Sequence, residues 1–163
     1  MRSLIISLAL VGLVARSAAE VQDAGAPEAW IGSWALNIAL STYPSGPAPY
    51  KRATYRIERV ADGFRVVYDM VHPRGGTTHL EWTGRMDGRD YPLQGVDEAI
   101  TYAYTPAGNG GSEIVVKVGG RVAARSRVAV SADGRTMTTR TTSAGPRGAP
   151  TVSTTVYEKQ PPA

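Results

Sequence analysis

The sequence predicts an all-β protein, a single antiparallel up-and-down β-barrel of about eight to ten strands without a helical lid. Nine segments that alternate apolar and polar residues follow one another, separated mostly by short turns rich in glycine and aspartate. No segment has a convincing helical periodicity. Closure of the sheet would remove the exposed edges that a long open meander leaves.

The beginning of the chain is typical of a targeting segment, with residues 1–19 as a signal peptide. An apolar stretch from Leu4 to Ala15 precedes Ser17 and Ala19, which supply the small side chains needed for a cut before Glu20. The stretch is too short to span a membrane, which disfavours the alternative of an uncleaved anchor. We therefore expect an exported protein, periplasmic or extracellular.

Charge and cysteine content exclude several classes of function. Cleavage would remove Arg2 and Arg16 and lower the formal net charge from +4 to +2, which is too weakly basic to indicate a nucleic-acid partner. The chain has no cysteine, which rules out disulfides, thiol catalysis and iron–sulfur clusters. Its stability must then come from its core and from closure of the barrel.

The expected mature chain divides into a flexible lead-in at 20–29, a barrel at 30–159 and a tail at 160–163. The first predicted strand places Trp34, Leu36 and Ile38 on one face, and the proline-rich stretch 41–49 predicts an extended, non-helical connection after it. The nine predicted strands are 33–39, 51–60, 64–72, 78–86, 98–105, 113–118, 121–130, 136–143 and 151–159.

Strands 64–72 and 78–86 allow their register to be argued. They are joined by a predicted five-residue loop, 73–77. One register places the apolar residues of both strands on the same face, and a shift by one residue would bring charged side chains onto it. The pairs predicted in this way are Met70 with Leu80, Tyr68 with Trp82, and Phe64 with Met86.

Turn signals mark most of the other strand ends. Asp62-Gly63, Gly119-Gly120 and Asp133-Gly134 are typical of tight hairpins, and the glycine-rich segment 108–111 breaks the chain. Residues 87–92 predict a structured turn, and residues 145–150 predict a flexible loop.

Four motifs, spread over nearly the whole expected mature chain, resemble those of short exported bacterial lipocalin-like proteins, a calycin-type barrel family without an assigned activity. The motifs are Gly32-x-Trp34-x-Leu36-Asn37-x-x-x-Ser41, Asp87-Gly88-x-Asp90-Tyr91-Pro92-x-x-Gly95, Asp133-Gly134-Arg135-Thr136-Met137-Thr138 and Val156-Tyr157-Glu158-Lys159-Gln160. The resemblance implies the barrel fold and leaves the function open.

A more distant resemblance is to the intracellular fatty-acid-binding proteins, which share the opening Gly-x-Trp and a closing tyrosine in a Val-Tyr-Glu-Lys ending. It implies that Tyr157 contributes to a ligand site. In that family an arginine two residues before the tyrosine helps to hold a fatty-acid carboxylate, and this chain has Thr155 there. The helical lid of that family is also missing, because the connection at 39–49 is short and rich in proline.

Five residues are candidate ligand-binding residues: Trp34, Tyr68, Trp82, Arg140 and Tyr157. Trp34 could form the floor of a cavity, or it could plug the end of the barrel as part of the core. Tyr68 and Trp82 could stack on a ligand ring, or they could form an ordinary cross-strand pair.

Arg140 lies one strand away from Tyr157 and could replace the missing arginine if the even-numbered residues of its strand face the cavity. If Met137 faces inward instead, Arg140 lies in solvent and Tyr157 is a lone hydroxyl suited to a neutral carbonyl ligand. The sequence leaves both arrangements open.

His72 and His79 are the only histidines, and Asp69 and Glu81 lie near them. The predicted register puts the two histidines on opposite faces of the sheet, where they cannot chelate one ion. We therefore expect no metal and no cofactor. No spacing of serine, histidine or carboxylate residues matches a catalytic motif, so no catalytic residue is assigned.

Three classes of function remain open. The first is a non-enzymatic carrier of a small apolar ligand. The second is an isomerase or cyclase that uses the barrel as a reaction vessel, with Tyr157, His72 or Arg140 as an acid or orienting group. The third is an interaction or stress module whose barrel is filled by side chains. The volume and lining of the interior discriminate among them.

Overall fold

The computed structural model describes residues 25–44, 46–145 and 148–162, so the expected signal peptide and the cut before Glu20 lie outside the described residues. Within these ranges one turn of 3-10 helix, Glu28–Trp30, precedes ten strands. The strands are β1 (Gly32–Thr42), β2 (Arg52–Val60), β3 (Gly63–Val71), β4 (Thr77–Gly84), β5 (Tyr91–Gln94), β6 (Ile100–Pro106), β7 (Ser112–Val118), β8 (Arg121–Val130), β9 (Thr136–Ala144) and β10 (Pro150–Lys159).

The strands form one closed antiparallel barrel. Each strand pairs with its neighbours along the chain, and β1 pairs with β10 to close the sheet. The predicted up-and-down all-β barrel is therefore confirmed, and so is the lack of a helical lid, because the described residues of the connection between β1 and β2 contain no helix. No helix of the described residues is long and apolar enough to cross a membrane.

The strand β5 is missing from the sequence prediction, which assigns its first residues to a turn. It pairs with two residues of β4 and two residues of β6. Because β5 has four residues and includes Pro92, it is too short to show an alternating pattern. The prediction of nine strands is corrected to ten.

The β3–β4 hairpin has the predicted inward face in a different register. Tyr68 lies opposite Leu80, and Val66 lies opposite Trp82. The predicted pairs are therefore wrong by two residues: Met70 with Leu80, Tyr68 with Trp82, and Phe64 with Met86.

The turn explains this slip. The connecting loop has the predicted five residues, but it is 72–76, because Val71 and Thr77 already form a pair. Gly75 and Gly76 adopt φ angles of 94° and 84°, which only glycine takes readily, and they reverse the chain one residue earlier than predicted. A two-residue slip leaves every side chain on its face, so the apolar alternation alone could not distinguish the two registers.

A bulge interrupts the β1–β10 ladder after Asn37. The pairing register shifts across residues 38–41. The Ser41 hydroxyl spans the break: it donates to the carbonyl oxygen of Asn37 at 2.7 Å and accepts from the backbone N–H of Val156 at 3.0 Å. As a result Ile38 is 40% exposed and does not share the inward face predicted for it.

The 3-10 turn plugs one end of the barrel, which we call the closed end. The indole N–H of Trp30 donates to the carbonyl oxygen of Gly110, and that of Trp34 donates to the carbonyl oxygen of Trp30, each at 2.8 Å. Both rings are buried, and the Lys159 ammonium lies 5.1 Å from the centre of a Trp34 ring. Packing at this end confines any interior space to the rest of the barrel.

Candidate functional site

The barrel encloses a cavity of about 400 Å³, within the usual range for small-molecule sites. Apolar side chains form the floor of the cavity near the closed end. Residues of the connection between β1 and β2 line the cavity at the opposite end. The lining residues are Trp30, Leu36, Tyr43, Pro49, Tyr50, Tyr55, Ile57, Val66, Tyr68, Tyr102, Tyr104, Ile114, Val116, Ser126, Val128, Met137, Thr139, Thr141, Ser153, Thr155 and Tyr157.

Tyrosine dominates this lining, because seven of the eight tyrosines of the chain reach the cavity. Five of them project inward from β2, β3, β6 and β10, and Tyr43 and Tyr50 belong to the connection after β1. The remaining tyrosine, Tyr91, lies outside the cavity, where its hydroxyl donates to a carboxylate oxygen of Asp87 at 2.9 Å.

The inward tyrosines contact one another through both rings and hydroxyls. Tyr157 donates to the hydroxyl oxygen of Tyr55 at 2.8 Å, and their rings stack with centroids 4.5 Å apart. Tyr55 lies opposite Tyr68 in the β2–β3 ladder, and these two rings meet edge to face at 4.6 Å. The hydroxyls of Tyr68 and Tyr104 are 3.2 Å apart. Four tyrosines from four strands thus form one continuous aromatic wall.

The facing wall consists of small hydroxyl side chains on β8, β9 and β10. Ser126 and Thr141 are ladder partners, and their hydroxyl oxygens are 2.8 Å apart. The Thr155 hydroxyl donates to the carbonyl oxygen of Thr139 at 3.3 Å. The cavity therefore lies between an aromatic wall and a wall of aliphatic hydroxyls.

The electrostatic character of the cavity is neutral, since its described lining contains no aspartate, glutamate, lysine, arginine or histidine. Burial raises the pKa of Tyr55 and of Tyr68 well above 10. Burial also raises the pKa of Tyr157 to about 12. These phenols remain protonated near neutral pH and act as hydrogen-bond donors.

One of the cavity hydroxyls has no partner although it is buried. The Tyr43 oxygen is shielded from solvent and forms no hydrogen bond within the described residues. A buried polar group without a partner is costly, and such groups are uncommon in folded proteins.

The structure brings two of the five predicted site residues to the cavity, Tyr68 and Tyr157. Trp34 and Trp82 are fully buried, but they pack in the core and do not line the cavity. Arg140 is exposed on the outer face of β9. The arrangement with Met137 inward is the one observed, because Met137 is 2% exposed and lines the cavity.

Sequence reasoning missed half of the aromatic wall, Tyr55 and Tyr104, and it also missed Tyr102, a further residue of the cavity lining. A compositional signal for it exists, because the chain has eight tyrosines and one phenylalanine. A barrel that builds its interior with tyrosine in place of phenylalanine carries hydroxyls inside. Tyr102 and Tyr104 are also two positions apart in β6, so they lie on the same face of that strand.

The two histidines lie outside the cavity lining. His72 contacts Thr78 through a 2.8 Å hydrogen bond. His79 lies opposite Asp69, not opposite Val71 as the predicted register required, and its ring nitrogens are 2.7 Å from Asp69 and 3.1 Å from Glu81. Hydrogen bonds to these carboxylates raise the pKa of His79. No group of three or more acidic or histidine side chains in the described ranges could hold a metal ion.

No protein-family model matches the chain, and no curated protein matches it. Two solved structures are similar. The zebrafish ileal bile acid-binding protein complexed with cholic acid has 9% sequence identity and a TM-score of 0.47, covering 81% of this chain and 99% of that chain. The siderocalin Ex-FABP, described as functioning through dual ligand specificities, has 13% identity and a TM-score of 0.35, covering 81% and 71%. These likenesses concern the fold alone.

Proposed function

We propose that this protein binds a small, uncharged and largely apolar molecule inside its barrel and serves as its carrier. The observation that carries the proposal is the lining of the cavity of about 400 Å³, where tyrosine rings and neutral hydroxyls occur without any ionised side chain among the described residues. Aromatic and apolar walls with a few convergent polar groups are typical of small-molecule sites.

An uncharged ligand fits this lining better than an acidic one. A carboxylate taken out of water needs a cation or several donors as compensation. The candidate cation, Arg140, is exposed on the outer face of β9, and Thr155 carries no charge. The carboxylate-binding mode implied by the resemblance to fatty-acid-binding proteins therefore has no charged partner in this cavity.

Of the two alternative classes, the enzyme needs a group that exchanges protons near neutral pH. Burial moves the pKa values of Tyr55, Tyr68 and Tyr157 away from that range, and His72 and Arg140 lie outside the cavity lining. The filled interaction module requires an interior occupied by side chains, which disagrees with the cavity volume.

We also propose that the carrier is exported, from the targeting segment expected at 1–19.

The test is a titration of the purified protein with prodan, an uncharged flat dye whose fluorescence shifts in an apolar site. We expect saturable binding in the wild type and about tenfold or greater weakening in Thr139→Phe, whose larger side chain would occupy the cavity. Thr138→Phe is the matched control, because Thr138 neighbours Thr139 and alternates onto the outer face. Absence of saturable binding, or equal binding by the two variants, would refute the proposal.

A further inference from the structure

We infer that the ligand is a flat, uncharged ring compound that presents carbonyl or ether oxygens as hydrogen-bond acceptors, and that one of these oxygens binds the hydroxyl of Tyr55. This inference rests on the proposed function and names the class of ligand for the same cavity. It moves the polar anchor from Tyr157, the residue indicated by the sequence, to Tyr55.

The hydroxyl protons of the Tyr157–Tyr55 pair locate this anchor. Tyr157 donates its proton to the oxygen of Tyr55, at 2.8 Å. The Tyr55 proton has no acceptor among the described residues, although the side chain lines the cavity. Accepting a hydrogen bond polarises the Tyr55 O–H group and makes it a better donor. The pair therefore offers the cavity one strengthened donor, and that donor belongs to Tyr55.

The other cavity tyrosines add to this excess of donors. Tyr68 and Tyr104 share a single hydrogen bond, so one of their two protons stays available. Tyr43, Tyr50 and Tyr102 also line the cavity, and the buried hydroxyl of Tyr43 forms no hydrogen bond within the described ranges. A ligand oxygen that accepts from these groups would also relieve the buried, unpaired hydroxyl of Tyr43.

The shape of the aromatic wall selects a flat ring. Tyr55 stacks on Tyr157 with an angle of 30° between the rings and meets Tyr68 edge to face at 78°. Aromatic rings favour offset stacking and edge contacts with further flat rings. On the opposite side, the Ser126 and Thr141 hydroxyls share a single hydrogen bond, so one of their two protons is also available to a ligand oxygen.

Two other ligand chemistries fit less well. A polyol brings as many donors as acceptors, and its hydroxyls would lie against the apolar floor formed by Trp30, Val128 and Met137. A carboxylate would provide strong acceptors but would be buried without a cation. An uncharged ketone, quinone, ester or ether on a ring framework accepts hydrogen bonds from the tyrosine hydroxyls. It places no hydroxyl against the apolar floor and buries no charge.

The experiment compares three probes of one ring framework by displacement of prodan: fluorenone, which has a carbonyl oxygen, fluorene, which lacks it, and fluorene carboxylate, which is charged. We expect the wild type to bind fluorenone about fivefold or more tightly than fluorene, the contribution of one well-formed hydrogen bond. Fluorene carboxylate should bind more weakly than fluorenone.

The variants assign the preference to the tyrosine pair. Tyr157→Phe should retain most of the preference for fluorenone, because the Tyr55 proton remains. Tyr55→Phe frees the Tyr157 proton nearby and should retain part of it. The double variant Tyr55→Phe/Tyr157→Phe should bind both probes equally. Tyr91→Phe, the tyrosine outside the cavity, is the matched control and should keep the full preference.

The outcomes separate this inference from the proposed function. If prodan fails to bind the wild type, the proposed function is wrong. Suppose that prodan binds, but that fluorene binds as tightly as fluorenone or the folded double variant keeps the full preference for fluorenone. The proposed carrier function is then retained, and the inference of an acceptor ligand is overturned. Tighter binding of fluorene carboxylate than of fluorenone would also overturn it. Thermal unfolding of each variant verifies that the barrel is intact.

Discussion

The hydroxyl of Tyr157 donates a 2.8 Å hydrogen bond to that of Tyr55, although the two residues lie 102 positions apart in the chain. Tyr157 belongs to the last strand and Tyr55 to the second, with β1 between them in the sheet. Their contact exists only because β1 pairs with β10. Closure of the barrel therefore creates the polar centre of the cavity as well as removing the open edges of the sheet.

The stability of the protein should fall in alkaline solution. Burial raises the pKa of Tyr157 from 10.0 to about 12, so the folded protein keeps a proton that the unfolded chain loses. In this range the unfolded state binds fewer protons than the folded state. The free energy of unfolding therefore decreases as pH rises from about 10 to about 12. Below about pH 10 this group does not change the free energy of unfolding with pH.

Urea unfolding at a series of pH values checks this prediction. Tyr157→Phe removes the titrating group, so its stability should fall less steeply than that of the wild type over the same window. Parallel curves for the two proteins would show that Tyr157 does not hold its proton in the folded state.

Substitution of Arg140 should leave ligand binding unchanged. Arg140→Ala removes a side chain exposed on the outer face of β9, whereas the adjacent Thr139 lines the cavity. We expect the prodan and fluorene carboxylate affinities of Arg140→Ala to equal those of the wild type in a fluorescence titration. A clear loss of affinity for the carboxylate alone would mean that the guanidinium reaches the ligand.

Two glycine positions should differ in their tolerance of a side chain. Gly63 has a φ of 139°, and a Cβ atom there would overlap the carbonyl oxygen of Gly84. Gly134 has a φ of 70° and open space around it. Gly134→Ala should cost about 1 kcal/mol from backbone strain, and Gly63→Ala roughly 3 kcal/mol or more, since the overlap adds to the strain.

The free energy of unfolding in urea measures both costs. Gly134→Ala serves as the control for positive φ without a clash. If both variants lose the same stability, the close approach of Gly63 to Gly84 is not a constraint on the β2–β3 turn.

The mature protein should begin at Glu20 when the full chain is produced in a bacterium with its export machinery. Ser17 and Ala19 supply the small residues at the cleavage site. Ala19→Asp should block processing, and Ala18→Asp, at the tolerant position between them, should allow it. N-terminal sequencing of protein from the cell envelope gives the answer, and an intact Met1 start in the wild type would contradict the prediction.

The fold class and the inward faces of most strands could be predicted from the sequence because they depend on local patterns. Side chains alternate between the two faces of a strand with a period of two. Trp34 and Leu36, or Tyr55 and Ile57, can therefore be placed on a common face before the neighbouring strands are known. Glycine-containing turns mark the ends of strands for an equally local reason, since few other residues adopt positive φ.

The register, the short strand and the cavity lining were decided by the tertiary structure. A two-residue slip of β3 against β4 preserves every face, so only the turn at Gly75 and Gly76 selects the pairing. The four residues of β5 become a strand only because β4 and β6 flank them. The aromatic wall joins residues from β2, β3, β6 and β10, whose proximity arises from closure of the barrel, a long-range constraint that no local pattern in the chain encodes.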